Sequence, residues 1–80
     1  MLDVRSLREY KLGHIPGSKN IPLQEIGRAK EEIPDAETPL FVYCYSGARS
    51  EEAVEELKKM GFSRVTNIGG IKDYYGETKR

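Results

Sequence analysis

The chain of 80 residues has one cysteine, one histidine, no excess of charge of either sign and no long apolar run. A single cysteine excludes an internal disulfide and a C-x-x-C redox pair, and with a single histidine it cannot furnish a structural zinc site. No metal and no other cofactor is expected. Thirteen basic and thirteen acidic residues cancel, and no basic stripe is interleaved with aromatics, so nucleic acid is not an expected partner. No run approaches the roughly 20 apolar residues of a membrane span, and the N-terminus lacks the basic-then-apolar pattern of a secretory signal. The expectation is a cytoplasmic chain without a membrane partner. Repeats and low-complexity tracts are also lacking. Residues 1–80 read as one domain, near the size at which folding buries only ~60% of the unfolded surface.

The chemistry is concentrated in Leu40 to Ser50. Leu40 to Tyr43 is a short apolar run without alternation, which predicts a strand buried on both faces, as in a parallel sheet. Between Ser50 and Met60, Ala53, Val54, Leu57 and Met60 fall on one helical face while glutamates and lysines take the others. Acids in the first turn and lysines in the last complement the helix macrodipole, and Gly61 stands where a left-handed cap is expected. A strand, a tight loop and a helix N-terminus together make an anion site, because the first backbone N–H groups of a helix have no intrahelical partner. With Cys44 as the first residue of that loop, its sulfur is the charge on which those groups converge, so thiolate is favoured over thiol. Gly47 permits the backbone conformation that such a nest needs. Taken alone, a lone cysteine ending a core strand is more often a small buried apolar residue.

The flanking segments alternate strand and helix signals. Met1 to Val4 reads as a strand ending at Arg5, and Ser6 caps a short helical turn through Leu12. His14-Ile15-Pro16-Gly17 is turn chemistry. Its histidine reads as a residue that ties down the loop by a hydrogen bond, with a proton shuttle for Cys44 as the minor alternative. Ser18 to Ile21 reads as a strand stopped by Pro22, Leu23 to Ile33 as a helix weakened at Gly27, and Pro34 to Pro39 as a loop. Val65 to Ile68 is a fourth strand followed by a Gly69-Gly70 loop, and Tyr74 and Tyr75 are expected to pack as a lid over the sheet edge. This order predicts an α/β fold, a small parallel sheet of about four strands with right-handed crossovers and helices on both faces. Ligands of such sheets lie beyond the carboxyl ends of the strands, which brings Arg5, Gly69 and Gly70 to the rim that holds Cys44.

Four segments in this order resemble the rhodanese-like domain family. Cys44-Tyr45-Ser46-Gly47-Ala48-Arg49-Ser50 matches the C-x-S-G-x-R-S form of its active-site loop. Leu2-Asp3-Val4-Arg5 resembles its "DVR" segment, and Gly13 to Pro22 its "GHIPGAxNIP" segment. Gly61-Phe62, Val65, Asn67-Ile68-Gly69-Gly70 and Tyr74 resemble its ending, with tyrosine where tryptophan is usual. The resemblance implies a rhodanese-like fold and a sulfurtransferase that forms a persulfide, or a non-catalytic interaction module of the same fold. It also implies that His14 is scaffold. Relatives usually carry another strand and helix before this point. The chain is thus expected to be either a fragment or a minimal version with an open sheet edge, giving a monomer of modest stability or a weak dimer.

On this reading Cys44 is the catalytic residue and Tyr45, Ser46, Gly47, Ala48, Arg49 and Ser50 bind substrate. Asp3, Arg5, Gly69 and Gly70 are rim or scaffold. The partners are a small sulfur donor such as thiosulfate or a persulfide, and a thiol, cyanide or a protein as acceptor. Arg49 is divided between holding an anionic donor and binding an acidic scaffold residue such as Asp3. A Cys-dependent phosphatase or arsenate reductase is the rival from another class. Its loop places five residues between cysteine and arginine, whereas Cys44 and Arg49 are separated by the four residues 45 to 48, which leaves too small a nest for a tetrahedral phosphate.

Overall fold

The computed structural model describes residues 1–80 except Tyr75, Glu77 and Arg80, together with the backbone alone of Asp73. Four parallel strands form one sheet in the order β2-β1-β3-β4: β1 (Leu2–Asp3), β2 (Lys19–Asn20), β3 (Leu40–Cys44) and β4 (Val65–Gly70). The helices are α1 (Leu7–Leu12), a 3-10 helix (Leu23–Arg28) running into α2 (Ala29–Glu32), α3 (Ala48–Lys59) and a terminal 3-10 turn (Ile71–Asp73). The connection from β1 steps outward to β2, whereas those into β3 and β4 run the other way. Right-handed crossovers therefore put α1 on one face of the sheet and α2 and α3 on the other.

The apolar core lies under α2 and α3. Leu2, Val4, Ile21, Leu40, Val42 and Cys44 from the sheet region meet Ile26, Ala29, Ala53, Leu57 and Phe62 in one cluster. Burying each large aliphatic side chain is worth about 1.5–3 kcal/mol relative to exposure. α3 is preceded by its N-cap Gly47, whose φ of 100° is left-handed, and ends in a Schellman pattern. There Phe62 N–H donates to Leu57 O and Gly61 N–H to Lys58 O, both at 3.1 Å, pinning Phe62 beside Leu57. α1 carries a complete capping box: Glu9 N–H donates to Ser6 Oγ at 3.2 Å and Ser6 N–H to Glu9 Oε1 at 3.1 Å.

The structure departs from the sequence expectation in three places. The segment from Leu23 to Ile33 is not one helix: it opens as a 3-10 helix, departs from helical angles at Glu25 (φ −114°, ψ 18°) and becomes α-helical only at Ala29. Its apolar spacing explains the change. Leu23, Ile26 and Ala29 recur every third residue, which three residues per turn align on one side, while Ala29 to Ile33 is the four-residue step of an α-helix. β4 extends through Gly69 and Gly70, which pair with Tyr43 and Cys44 rather than forming a loop, because a register shift leaves Ile68 unpaired opposite the Val42–Tyr43 step. β3 is not buried on both faces throughout, since Phe41 is 45% exposed. Its face of the sheet is covered toward the carboxyl end of β3, at Tyr43, and not farther back.

That second face is polar where it is covered. Asp3 lies between Leu2 and Val4 and points away from the apolar core. Its carboxylate accepts from Arg5 backbone N–H at 2.8 Å, from Nε at 3.0 Å and from Nη2 at 2.7 Å, and Arg5 Nη2 also donates to Gly13 O at 2.7 Å. Tyr43 Oη accepts from Ile15 N–H at 3.1 Å and shares a hydrogen bond with Ser18 Oγ at 2.9 Å. His14 stacks on Tyr10 with ring centroids 3.8 Å apart, and its Nδ1 lies 2.9 Å from Tyr10 O. It holds the turn. Among the described residues no helix is long and apolar enough to cross a membrane.

Candidate active site

The chain leaves β1 toward one sheet edge and β3 toward the other, so the carboxyl ends of these two strands flank a topological switch point, where ligands of parallel sheets bind. Cys44 is the last residue of β3 at this point. The backbone turns sharply through Tyr45, Ser46 and Gly47 and delivers the amide of Gly47 back to the sulfur, with N–H to Sγ at 2.9 Å. Ser50, one turn into α3, places its Oγ 3.6 Å from Sγ. Burial alone pushes the Cys44 thiol up. The Ser50 hydroxyl and the backbone amides of Ser50, Gly47 and Ser46 outweigh it, and the thiol lies below its ordinary value.

The loop is pressed against the end of β4. A Cβ on Gly70 would stand 2.2 Å from Tyr45 O and 2.7 Å from Ser46 Cα, so only glycine allows the loop backbone to pass there. Lys72 N–H donates to Tyr45 O at 3.2 Å and completes the contact. Gly69 and Gly70 are thus the wall of the loop. Tyr45, Ser46 and Ala48 are exposed, whereas Cys44 is wholly buried.

The two arginines are both engaged. Arg49 makes a paired contact with Glu9 of α1, Nη1 to Oε1 at 2.7 Å and Nη2 to Oε2 at 3.0 Å. Asp3, the example of an acidic scaffold partner in one of the two roles open to Arg49, is instead committed to Arg5 two residues along, which reaches it at once through backbone and side chain. The Arg49 hydrogen bonds, against the opposing effect of burial and with help from Ser6, hold the Glu9 carboxyl at about 2. Arg5 and Asp3, at 7% and 0% side-chain exposure, form a sealed pair beneath the rim and do not reach into it. Glu9 and Asn67 are the two residues of this region that sequence reasoning missed. Ser6-x-x-Glu9 carries a visible capping signature, but nothing local announces that the same carboxylate meets an arginine 40 positions away.

Tyr74 lines a cavity of about 230 Å³ with Ile15, Tyr43, Ile68, Gly69, Gly70 and Ile71. Its expected lid partner, Tyr75, lies outside the described residues. Among the described residues no group of three or more His, Cys, Asp or Glu side chains could hold a metal ion.

A family model for the rhodanese-like domain matches residues 1–77. The chain belongs to the rhodanese-like domain family. It is 41% identical over 73 residues to the thiosulfate sulfurtransferase PspE of Escherichia coli, covering 90% of this chain and 70% of that protein. It is 40% identical over 80 residues to YrkF of Bacillus subtilis, named as a candidate sulfur carrier, covering 99% of this chain but only 43% of that protein. Among solved structures, a rhodanese with anions from E. coli superposes with a TM-score of 0.91 at 38% identity, covering 99% of this chain and 94% of that one. This rhodanese-like domain thus shares its fold with the E. coli rhodanese.

Proposed function

We propose that the protein is a sulfurtransferase that carries a sulfane sulfur on Cys44. The observation that carries this reading is the Cys44 sulfur, held 2.9 Å from the Gly47 amide at the switch point of the sheet. In the first half-reaction the Cys44 thiolate attacks the outer sulfur of thiosulfate. The S–S bond of the donor breaks, sulfite leaves with its electron pair, and Cys44–S–S⁻ remains with the negative charge on its outer sulfur. In the second, cyanide or a thiolate attacks that outer sulfur and departs as thiocyanate or a persulfide, returning the Cys44 thiolate. Two displacements at one sulfur predict ping-pong kinetics. The loop amides that stabilise the thiolate are available to the outer sulfur in turn.

The bidentate Arg49–Glu9 pair supports a holding role for Arg49, fixing the start of α3 against α1. With its charge neutralised by Glu9, Arg49 contributes little attraction for a dianion, which favours a persulfide donor over thiosulfate. Four residues between Cys44 and Arg49 argue against phosphate as ligand. One observation favours a second reading, a non-catalytic module: Cys44 is wholly buried, as structural cysteines are.

Kinetics separate the two. The sulfurtransferase forms thiocyanate from thiosulfate or a persulfide and cyanide, with parallel lines in double-reciprocal plots, and Cys44→Ser abolishes the reaction while keeping the fold. Product formation that survives Cys44→Ser would overturn the proposal, and no turnover with any sulfane donor would establish the module.

A further inference from the structure

Ser50 has one hydroxyl proton and three acceptors. Its Oγ lies 2.8 Å from Asn67 Oδ1, 2.9 Å from Gly47 O and 3.6 Å from Cys44 Sγ. Ser50 is wholly buried, so water does not supply a second donor. Both oxygens have donors of their own. Gly69 N–H meets Asn67 Oδ1 at 2.8 Å, and Gly47 O accepts from Glu51 N–H at 3.1 Å and from Asn67 Nδ2 at 3.4 Å. Gly69 also fixes the sense of the Asn67 amide, because a backbone N–H can meet only its oxygen.

The direction of this chain depends on the charge of the sulfur. With Cys44 as a thiol, S–H donates to Ser50 Oγ and the hydroxyl donates onward to Asn67 Oδ1. With Cys44 as a thiolate the only proton left between sulfur and Oγ is the hydroxyl's, and it stabilises the sulfur only by turning back to it. Turning back leaves two oxygens 2.8 Å apart with no proton between them, a repulsive contact. Neither acceptor is orphaned, since each keeps its other donors, so the reversal is feasible but opposed.

We propose that Asn67 is a positioning residue for the Cys44 nucleophile: its side-chain carbonyl competes with sulfur for the single Ser50 proton and sets how readily that proton turns to a negative charge forming on Sγ. The proposal deepens the reading of Cys44 as a sulfur carrier and rests on it. When charge moves to the outer sulfur of the persulfide, the inner sulfur no longer needs the proton, and the hydroxyl returns to Asn67. The same rotor therefore responds to each half-reaction without any proton leaving the site.

The test is the pH profile of Cys44 alkylation by iodoacetamide, with circular dichroism to verify folding. Asn67 is exposed, so replacing it removes no core contact. Ser50→Ala takes away the donor and raises the midpoint. Asn67→Leu and Asn67→Ala take away the competing acceptor and lower it. Asn67→Asp supplies a stronger, charged acceptor and raises it by roughly one pH unit, which is about tenfold in alkylation rate below the midpoint. In the Ser50→Ala background the Asn67→Leu and Asn67→Ala shifts vanish. An unchanged midpoint in both uncharged Asn67 variants, or the same shift with and without Ser50, would overturn the proposal. The assay reads ionisation alone. A normal response with no sulfur transfer would leave this relay standing and remove the proposed function, whereas sulfur transfer with a flat response would do the reverse.

Discussion

Tyr43 and Cys44 are neighbours on β3 that face opposite ways, and the two sides of the sheet they enter are built on different physics. Cys44 enters a cluster of aliphatic side chains under α2 and α3, where contact area does the stabilising and geometry is forgiving. Tyr43 enters a lattice of directed bonds, in which its own hydroxyl, Ser18, Ile15 N–H and the nearby Asp3–Arg5 pair have little freedom to move. The difference assigns them different work. The apolar side supplies the stability and carries the end of β3 to the site. The polar side fixes the turn from Gly13 to Ser18 and the exit of the chain from β1, and through α1 it presents Glu9 to Arg49. The candidate site stands where the two meet.

The largest loss of stability is expected on the polar side. Asp3→Ala leaves the Arg5 guanidinium buried without its partner and is expected to cost about 3–5 kcal/mol in urea unfolding. Leu57→Ala, on the apolar side, is expected to cost about 2–5 kcal/mol, the figure depending on how far α3 collapses toward the sheet. The two should differ in kind as well as size. Replacing Leu57 by Met recovers most of the stability, whereas replacing Asp3 by Asn, which keeps the shape but not the charge, does not.

The legibility of the fold follows the same division. Helix α3 was readable because its apolar face, its charge gradient and Gly61 all agree, and it occupies Ala48–Lys59 against an expected Ser50 to Met60. The cysteine loop was readable because strand, glycine and helix start are contiguous. What failed depended on pairing partners and on spacing that a reading by charge and by helical face does not resolve. The extension of β4 through Gly69 and Gly70 is set by pairing with β3, and a pattern of side chains does not reveal a register shift. Charge alone does not tell which of two arginines Asp3 pairs with, and Arg5, two residues away, holds it. The broken helix was written in its spacing of threes, which a reading by helical face merges with fours.

A smaller effect tests the link between the two sides. Glu9, 34% exposed, has its carboxyl lowered from an ordinary 4.5 to about 2 by the Arg49 hydrogen bonds. A carboxyl lowered on folding contributes stability that is fully present above its unfolded value and is lost as the pH falls through its folded value. The window is therefore between about 4.5 and about 2. Solvent screening keeps the contribution near ~1 kcal/mol or less. Glu9→Gln should be slightly less stable than the parent at pH 7 and lose less on acidification, the two melting curves converging near pH 2. Parallel loss in both proteins would show that Arg49 gains nothing from Glu9.

The central claim, that the buried sulfur of Cys44 accepts and releases a sulfane sulfur, is tested most directly by intact-protein mass spectrometry after exposure to a sulfane donor. The account predicts a gain of one sulfur atom, mapped to Cys44, absent in Cys44→Ser and removed by cyanide with recovery of the starting mass. A protein that stays at its starting mass with thiosulfate and with a persulfide, or an adduct that persists in Cys44→Ser, would contradict it.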